Sequence, residues 1–238
     1  YEKILFLKHQ LMDSVDMNFS VPKSDIIKGI VFGNDKNMPK NTKEAFNVTG
    51  LSHLTAVSGS NIVILIGMLM IFLLALGLWR TQAIYFAILL IWIYIILIGL
   101  PISGVRAAIM GSVGLLAQAL GRQSNSSRAL VLTGALMLLQ NPLLLLYDVS
   151  FQLSFLASMG IVYLKPIIDA VLRFGKDPER KSLLKNIFKG LLDIISITFA
   201  AQIFTLPIIV YNFGRISLVA PITNILVLPV IPALTVLG

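Results

Sequence analysis

Residues 62–79 and 83–100 contain no Asp, Glu, Lys, Arg or His, and each run approaches the roughly 20 residues an α-helix needs to cross a bilayer core. A chain with two such runs has few ways to fold. Hydrocarbon offers the backbone no hydrogen-bond partners, so N–H and C=O groups must pair within each segment, which predicts spanning helices. The composition agrees: 57% of residues are apolar and 13% charged, with a mean hydropathy of +0.88, whereas soluble domains carry about a quarter charged residues. The predicted fold class is all-α: a polytopic helical membrane domain of about seven spanning or part-spanning helices, preceded by amphipathic external helices.

Residues 1–57 read as a separate, membrane-adjacent region, and 58–238 as the transmembrane domain. Up to Asn47, seven Lys and six Asp or Glu are interleaved with apolar positions such as Ile4, Leu7, Leu11, Val15, Ile26 and Ile30. Pro22 and the 33–39 stretch divide this region into two candidate helices, and a third is predicted from Thr42 to Gly50. The first span is predicted from about Ser60 to Trp79, with a turn at Arg80, Thr81 and Gln82 and a return through 83–100. The third, 105–120, carries Ala107, Ala108, Gly111, Ser112, Gly114 and Ala117, small residues that let helices approach closely in lipid. A shorter helix over 129–140 ends before Pro142, and Asp148 splits the apolar stretch 143–164. A basic loop, 165–189, precedes a long helix through about Tyr211 and a break at 212–215. The last run, holding Pro221, Pro229 and Pro232, is predicted to be kinked or discontinuous.

The 165–189 loop holds seven basic residues, and the loops bearing Arg80 and Arg122 with Arg128 fall on the same side. Only Arg106 and Arg215 lie near the opposite turns. The positive-inside bias therefore predicts a multi-pass membrane protein with the N-terminal region outside and the 165–189 loop in the cytoplasm. The chain starts at Tyr1 and stops at Gly238 within apolar sequence, and is read as part of a longer protein. With no Cys and two His, His9 and His53, it has no thiolate metal site and little material for a histidine cage. No metal and no cofactor are expected.

Chemistry concentrates in two blocks. In the first, His53, Ser58, Ser60 and Asn61 stand where the first span begins, able to cap its N-terminus or to open a broken helix that lines a pathway. In the second, Asp148 and Gln152 precede Ser154 and Ser158, which with Ser150 repeat every four residues and share one helix face. Such a stripe lines a wet path, or packs with its hydroxyls bonded back to i−4 carbonyls. Arg106 and Asp148 sit beside breakable backbone and are read as partners, or as groups at the mouth of a cavity. Asp193 and Arg215 are read as anchors at helix ends, and Gln202, Asn212 and Asn224 bring further amides toward membrane depth.

These blocks, in this order, resemble the membrane domain of the ComEC family, the bacterial competence proteins that import transforming DNA. Gly50, Ser52, His53, Leu54, Ala56, Ser58 and Gly59 meet one family pattern; Asp148, Phe151, Gln152, Leu153, Ser154 and Phe155 meet another. Arg106 with Ala107, Ala108, Ile109 and Met110, and Leu120 with Gly121 and Arg122, also fit. Ser60 and Asn61 stand where the family commonly has Leu and His, and Asn141 replaces an acidic residue before Pro142.

The resemblance implies a channel domain that conducts single-stranded DNA into the cytoplasm during natural transformation. Pathway residues would be His53, Ser58, Ser60, Asn61, Arg106, Asp148, Gln152, Ser154, Ser158 and Gln202. Partners would be single-stranded DNA, membrane lipid, the family's oligonucleotide-binding-fold and nuclease domains, and a competence ATPase. Those two domains are not in this sequence, so no enzymatic activity is expected of it. A secondary transporter of a small solute is the alternative, since broken helices and midplane amides serve either task. An intramembrane serine hydrolase using Ser58 and His53 is a further alternative, weakened because both residues lie on one short segment. A fourth is a scaffold without a conduit.

Overall fold

The computed structural model describes residues 2–21, 23–33, 38–51, 59–123, 125–173, 183–214, 217, 219–227 and 230. Every regular element among them is helical: α1 (Glu2–Asn18), α2 (Lys23–Phe32), α3 (Lys40–Val48), α4 (Gly59–Ala75), α5 (Arg80–Ile98), α6 (Ile102–Ala119), α7 (Ser126–Gln140), α8 (Leu144–Tyr147), α9 (Val149–Met159), a π-helical turn (Gly160–Leu164), α10 (Lys165–Arg173), α11 (Leu183–Phe213) and α12 (Ala220–Val227). The all-α fold class is therefore observed. Four segments are long and apolar enough to cross a membrane: Arg80–Ile98, Ile102–Ala119, Val149–Val171 and Gly190–Phe213. Two shorter apolar helices, Asn61–Ala75 and Ser126–Gln140, accompany them. The chain divides into two compact units, Tyr1–Ala129 with Val230–Gly238, and Leu130–Pro229.

In the first unit, α4, α5 and α6 pack against one another. The 19 residues of α5 span about 28 Å at 1.5 Å per residue, close to a bilayer core of about 30 Å. Its sequence is apolar all round, yet Ala83, Ala87, Ile91, Ile95 and Ile98 are buried while Tyr85, Phe86, Leu89 and Ile93 are exposed. Hydrophobicity thus identifies this helix without choosing its packed face; close packing does that in lipid. Across the α5–α6 seam, Trp92 Nε1 donates to Ser112 Oγ at 3.3 Å.

The turn between α4 and α5 lies earlier than predicted. Arg80, Thr81 and Gln82 form the first turn of α5, because Gln82 Oε1 accepts the Trp79 N–H at 3.2 Å and satisfies a donor that the helix start leaves free. The reversal falls instead around Gly77, whose φ of 85° suits a residue without a side chain.

Side chains tie the N-terminal helices to the spans at carbonyls that helix ends leave unpaired. Asn61 Nδ2 donates to Ile30 O at 3.2 Å, and the Tyr94 hydroxyl donates to Val31 O, so α4 and α5 both hold the end of α2. Lys8 Nζ donates to Ile98 O at 3.0 Å, capping α5 from α1. Between α1 and α2, Lys28 Nζ lies 2.6 Å from Asp16 Oδ1 and 3.0 Å from Asp25 Oδ1. Lys28 and Asp25 are each 5% exposed.

In the second unit, α11 packs against α9, α10 and α12. Gly160, at the start of the π-turn, touches α11: a Cβ there would collide with the Ala200 carbonyl. Gly134 of α7 meets the Phe155 ring, which stacks on Phe151 with centroids 4.4 Å apart. Pro207 lies inside the 31-residue α11, and of the final Pro-rich run only Ala220–Val227 forms a described helix.

The predicted loop 165–189 is corrected at both ends: Lys165–Arg173 is helical and α11 already begins at Leu183, while α9, the π-turn and α10 as far as Val171 form one 23-residue candidate span. Pro166 is accommodated inside this helical segment because the π-turn shifts the hydrogen-bond ladder just ahead of it, where a missing N–H is tolerated.

The Lys28 cluster yields a stability prediction. Its hydrogen bond to Lys28 holds the Asp16 carboxyl below the ordinary 3.8. Burial disfavours the Lys28 ammonium, but the hydrogen bonds to Asp16 and Asp25 outweigh it and raise its pKa above 10.5. The Asp16 contribution is therefore present above 3.8 and fades as pH falls through the lowered value; the Lys28 contribution is present below 10.5 and fades as pH rises through the raised one. Lys28→Met is expected to destabilise the protein by about 3 kcal/mol at neutral pH, since Asp25 stays buried without this cation. Thermal melts in detergent, repeated across acid pH, should show the gap to wild type narrowing as Asp16 titrates.

Candidate functional site

The first block meets Arg106 at the start of α4. Arg106 lies in the first turns of α6 and is 9% exposed. Its Nη1 reaches Met110 Sδ at 3.9 Å along its own helix. A Cβ placed on Gly59 would come within 2.9 Å of Arg106 Nη2 and 3.8 Å of the Ala107 Cβ, so the guanidinium rests against the first residue of α4. Two residues on, Asn61 is 3% exposed and holds α2. The segment thus gathers a buried cation, an amide and the end of a membrane-adjacent helix. His53 and Ser58 lie outside the described residues, as does the side chain of Ser60, whose backbone belongs to α4.

In the second unit, the Asp148 block holds a helix break together. Asp148 has extended backbone between α8 and α9, and its Oδ1 accepts the Phe151 N–H at 2.7 Å. This is an N-cap, with the carboxylate where the helix dipole favours negative charge. From α9, Gln152 Nε2 reaches back to Leu145 O at 2.9 Å and Leu146 O at 3.2 Å, satisfying carbonyls of the four-residue α8. One side chain caps the helix that follows, and the other caps the helix that precedes. Arg106 and Asp148, read from the sequence as partners, belong to different units.

The serine stripe divides. Ser150 is exposed. Ser158 Oγ donates to Ser154 O at 2.9 Å, the back-bonded arrangement of a packed helix. Ser154 Oγ is buried with no hydrogen-bond partner among the described residues. On α11, Gln202 is half-buried, and Thr205 bonds back to Ala201 O at 3.0 Å. Ser196 and Thr198 of α11 and the Asn224 Oδ1 of α12 are buried and, like Ser154, lack a partner among the described residues. Buried polar atoms are rarely left so, and these concentrate on α9, α11 and α12.

One cluster escaped the sequence reading. Lys165 Nζ lies 2.7 Å from Asp169 Oδ2 and 3.6 Å from Asp193 Oδ1, which places Asp193 in a partly exposed ion cluster joining α10 to α11. Asp193, Ser196 and Ala200 follow an i, i+3, i+7 stripe, so the fully buried Ser196 shares the α11 face that meets the π-turn. The i, i+4 spacing of Lys165 and Asp169 is the sequence signal that could have found it. Among the described residues, no group of three or more His, Cys, Asp or Glu is arranged to hold a metal ion.

Helices of this length and hydropathy, with capped breaks and charges turned inward, define an all-α membrane domain. The chain belongs to the Competence protein family, which it matches over residues 30–238. It is 28% identical over 227 residues to ComE operon protein 3 of Bacillus subtilis (strain 168), an alignment covering 95% of this chain and 27% of that relative. No solved structure matches.

The contacts predict which small residues are fixed by packing. Gly160→Ala should cost at least about 2 kcal/mol, because a rigid backbone carbonyl blocks the added methyl, whereas Gly114→Ala, with nothing within 4 Å, should be neutral or slightly stabilising. Gln152→Ala should cost about 1 kcal/mol through its lost hydrogen bonds. Thermal unfolding of the three purified variants tests the ranking.

Proposed function

We propose that the chain is the conducting part of a DNA-uptake protein, passing single-stranded DNA across the bacterial plasma membrane during natural transformation. The observation that carries this reading is that the family match, residues 30–238, runs through every candidate span, so the likeness rests on the membrane-embedded part. The likeness to ComE operon protein 3 supports it over the same helices. The nuclease and oligonucleotide-binding-fold domains implied by the ComEC resemblance would lie elsewhere in a longer protein, and this chain would do no bond-breaking itself.

In this reading α1 to α3 lie outside, and the basic segment after α10 lies in the cytoplasm, in keeping with the positive-inside bias. Single-stranded DNA needs a polar track with some positive charge. Arg106 would bind a phosphate at the outer mouth: a partly desolvated guanidinium forms stronger charge-assisted hydrogen bonds than one in bulk water. His53, Ser58, Ser60 and Asn61 would line the same entrance. Asp148 and Gln152 would hold the broken helix, and Ser154, Ser158 and Gln202 would belong to the helices that flank the path. Movement would be driven by a partner, since the sequence has no phosphate-binding loop of the Gly-x-x-x-x-Gly-Lys-Ser/Thr kind.

Transformation assays on chromosomal variants, with membrane protein levels matched by immunoblot, test this. Arg106→Gln is expected to lower transformation at least about tenfold, the loss of one charge-assisted hydrogen bond. Ser154→Leu should reduce it further by filling the track. Wild-type transformation by both variants would refute the conduit.

A further inference from the structure

We infer that Gly59 is a positioning residue for Arg106, and that its missing side chain sets where the guanidinium meets a DNA phosphate. The inference rests on the reading of Arg106 as a phosphate-binding group, and adds a role for a residue in the other motif. Gly59 is the first residue of α4 and lacks the positive φ of the turn glycines Gly33, Gly50, Gly77 and Gly99. Its backbone would therefore accept any L-residue, and alanine would favour the helix. What excludes a side chain is the neighbour: the Cβ position lies 2.9 Å from Arg106 Nη2 and 4.0 Å from its Cζ, inside the distance at which carbon and nitrogen repel.

The guanidinium is the far end of a flexible side chain and is the group that would give way. Its other arm reaches Met110 Sδ, and on the same helix Ala107 and Ala108 are 6% and 0% exposed. Asn61 keeps this end of α4 against α2 through Ile30 O, so the helix start cannot simply retreat. A methyl on Gly59 would turn or shift the planar fork of Arg106, and bidentate contact with a phosphate depends on that orientation. Gly59→Ala thus separates two effects: it leaves the fold intact, and it moves the arginine.

The test compares wild type, Gly59→Ala, Arg106→Gln and the double variant in the full-length protein, purified in nanodiscs and checked for monodispersity and helicity. Binding of a fluorescent oligothymidylate is measured by anisotropy over a range of salt. Both single variants are expected to bind about tenfold more weakly, to lower the salt slope by about 0.7 for one lost phosphate contact, and to show no further loss when combined. Wild-type affinity and slope for Gly59→Ala, with a weakened Arg106→Gln, would overturn the positioning role and leave Arg106 as a phosphate-binding group. Unchanged binding by Arg106→Gln would overturn the phosphate reading, and the positioning role with it. Additive losses in the double variant would show that Gly59 acts independently of Arg106, which also overturns the inference.

Discussion

Every backbone group in a bilayer core must find its partner inside the protein, and this constraint decides where the chain is allowed to break. The break between α8 and α9 is closed by Asp148 on one side and Gln152 on the other. The end of α2 gives its carbonyls to Asn61 and Tyr94, and the end of α5 gives one to Lys8. The polar residues of both motifs thus carry a structural duty. Irregular backbone near the membrane is tolerated where side chains complete it, and such places are also where a polar path becomes possible.

Charge obeys a parallel rule. Lys28 is held between Asp16 and Asp25, and Lys165 between Asp169 and Asp193. Both clusters join helices that are separate in sequence, and both cations are satisfied by carboxylates. Arg106 is buried as well, with its guanidinium resting against Gly59 and its Nη1 on Met110 Sδ.

Much of this architecture was legible because helix breakers are local. Pro22, the Gly33 region, Pro142 and Asp148 mark real boundaries, and the uncharged run 83–100 marks a candidate span, whereas the run 62–79 forms the shorter apolar helix α4, which ends at Ala75. Features that depend on tertiary contact were not legible. Nothing in α5 distinguishes Ile91 from Ile93, yet one is buried and the other exposed. Lys165 read as loop because it opens a stretch of seven basic residues, and a π-turn is invisible to a pattern built on 3.6 residues. The serine stripe divides in a way no spacing shows: Ser158 is back-bonded, whereas Ser154 Oγ has no partner among the described residues. The meeting of Gly59 with Arg106 joins two motifs that no spacing rule connects.

Taken with family membership, the capped break on α8–α9 and the buried hydroxyls of α9 and α11 make a polar face on these two helices the central claim. The chain has no native cysteine, so single cysteines introduced as Ser154→Cys and Gln202→Cys report on it cleanly. The decisive measurement is their labelling by a membrane-impermeant maleimide, with and without single-stranded DNA engaged in uptake. The account predicts that both are labelled and that DNA slows the labelling severalfold. No labelling at either position, or labelling that DNA leaves unchanged, would contradict it.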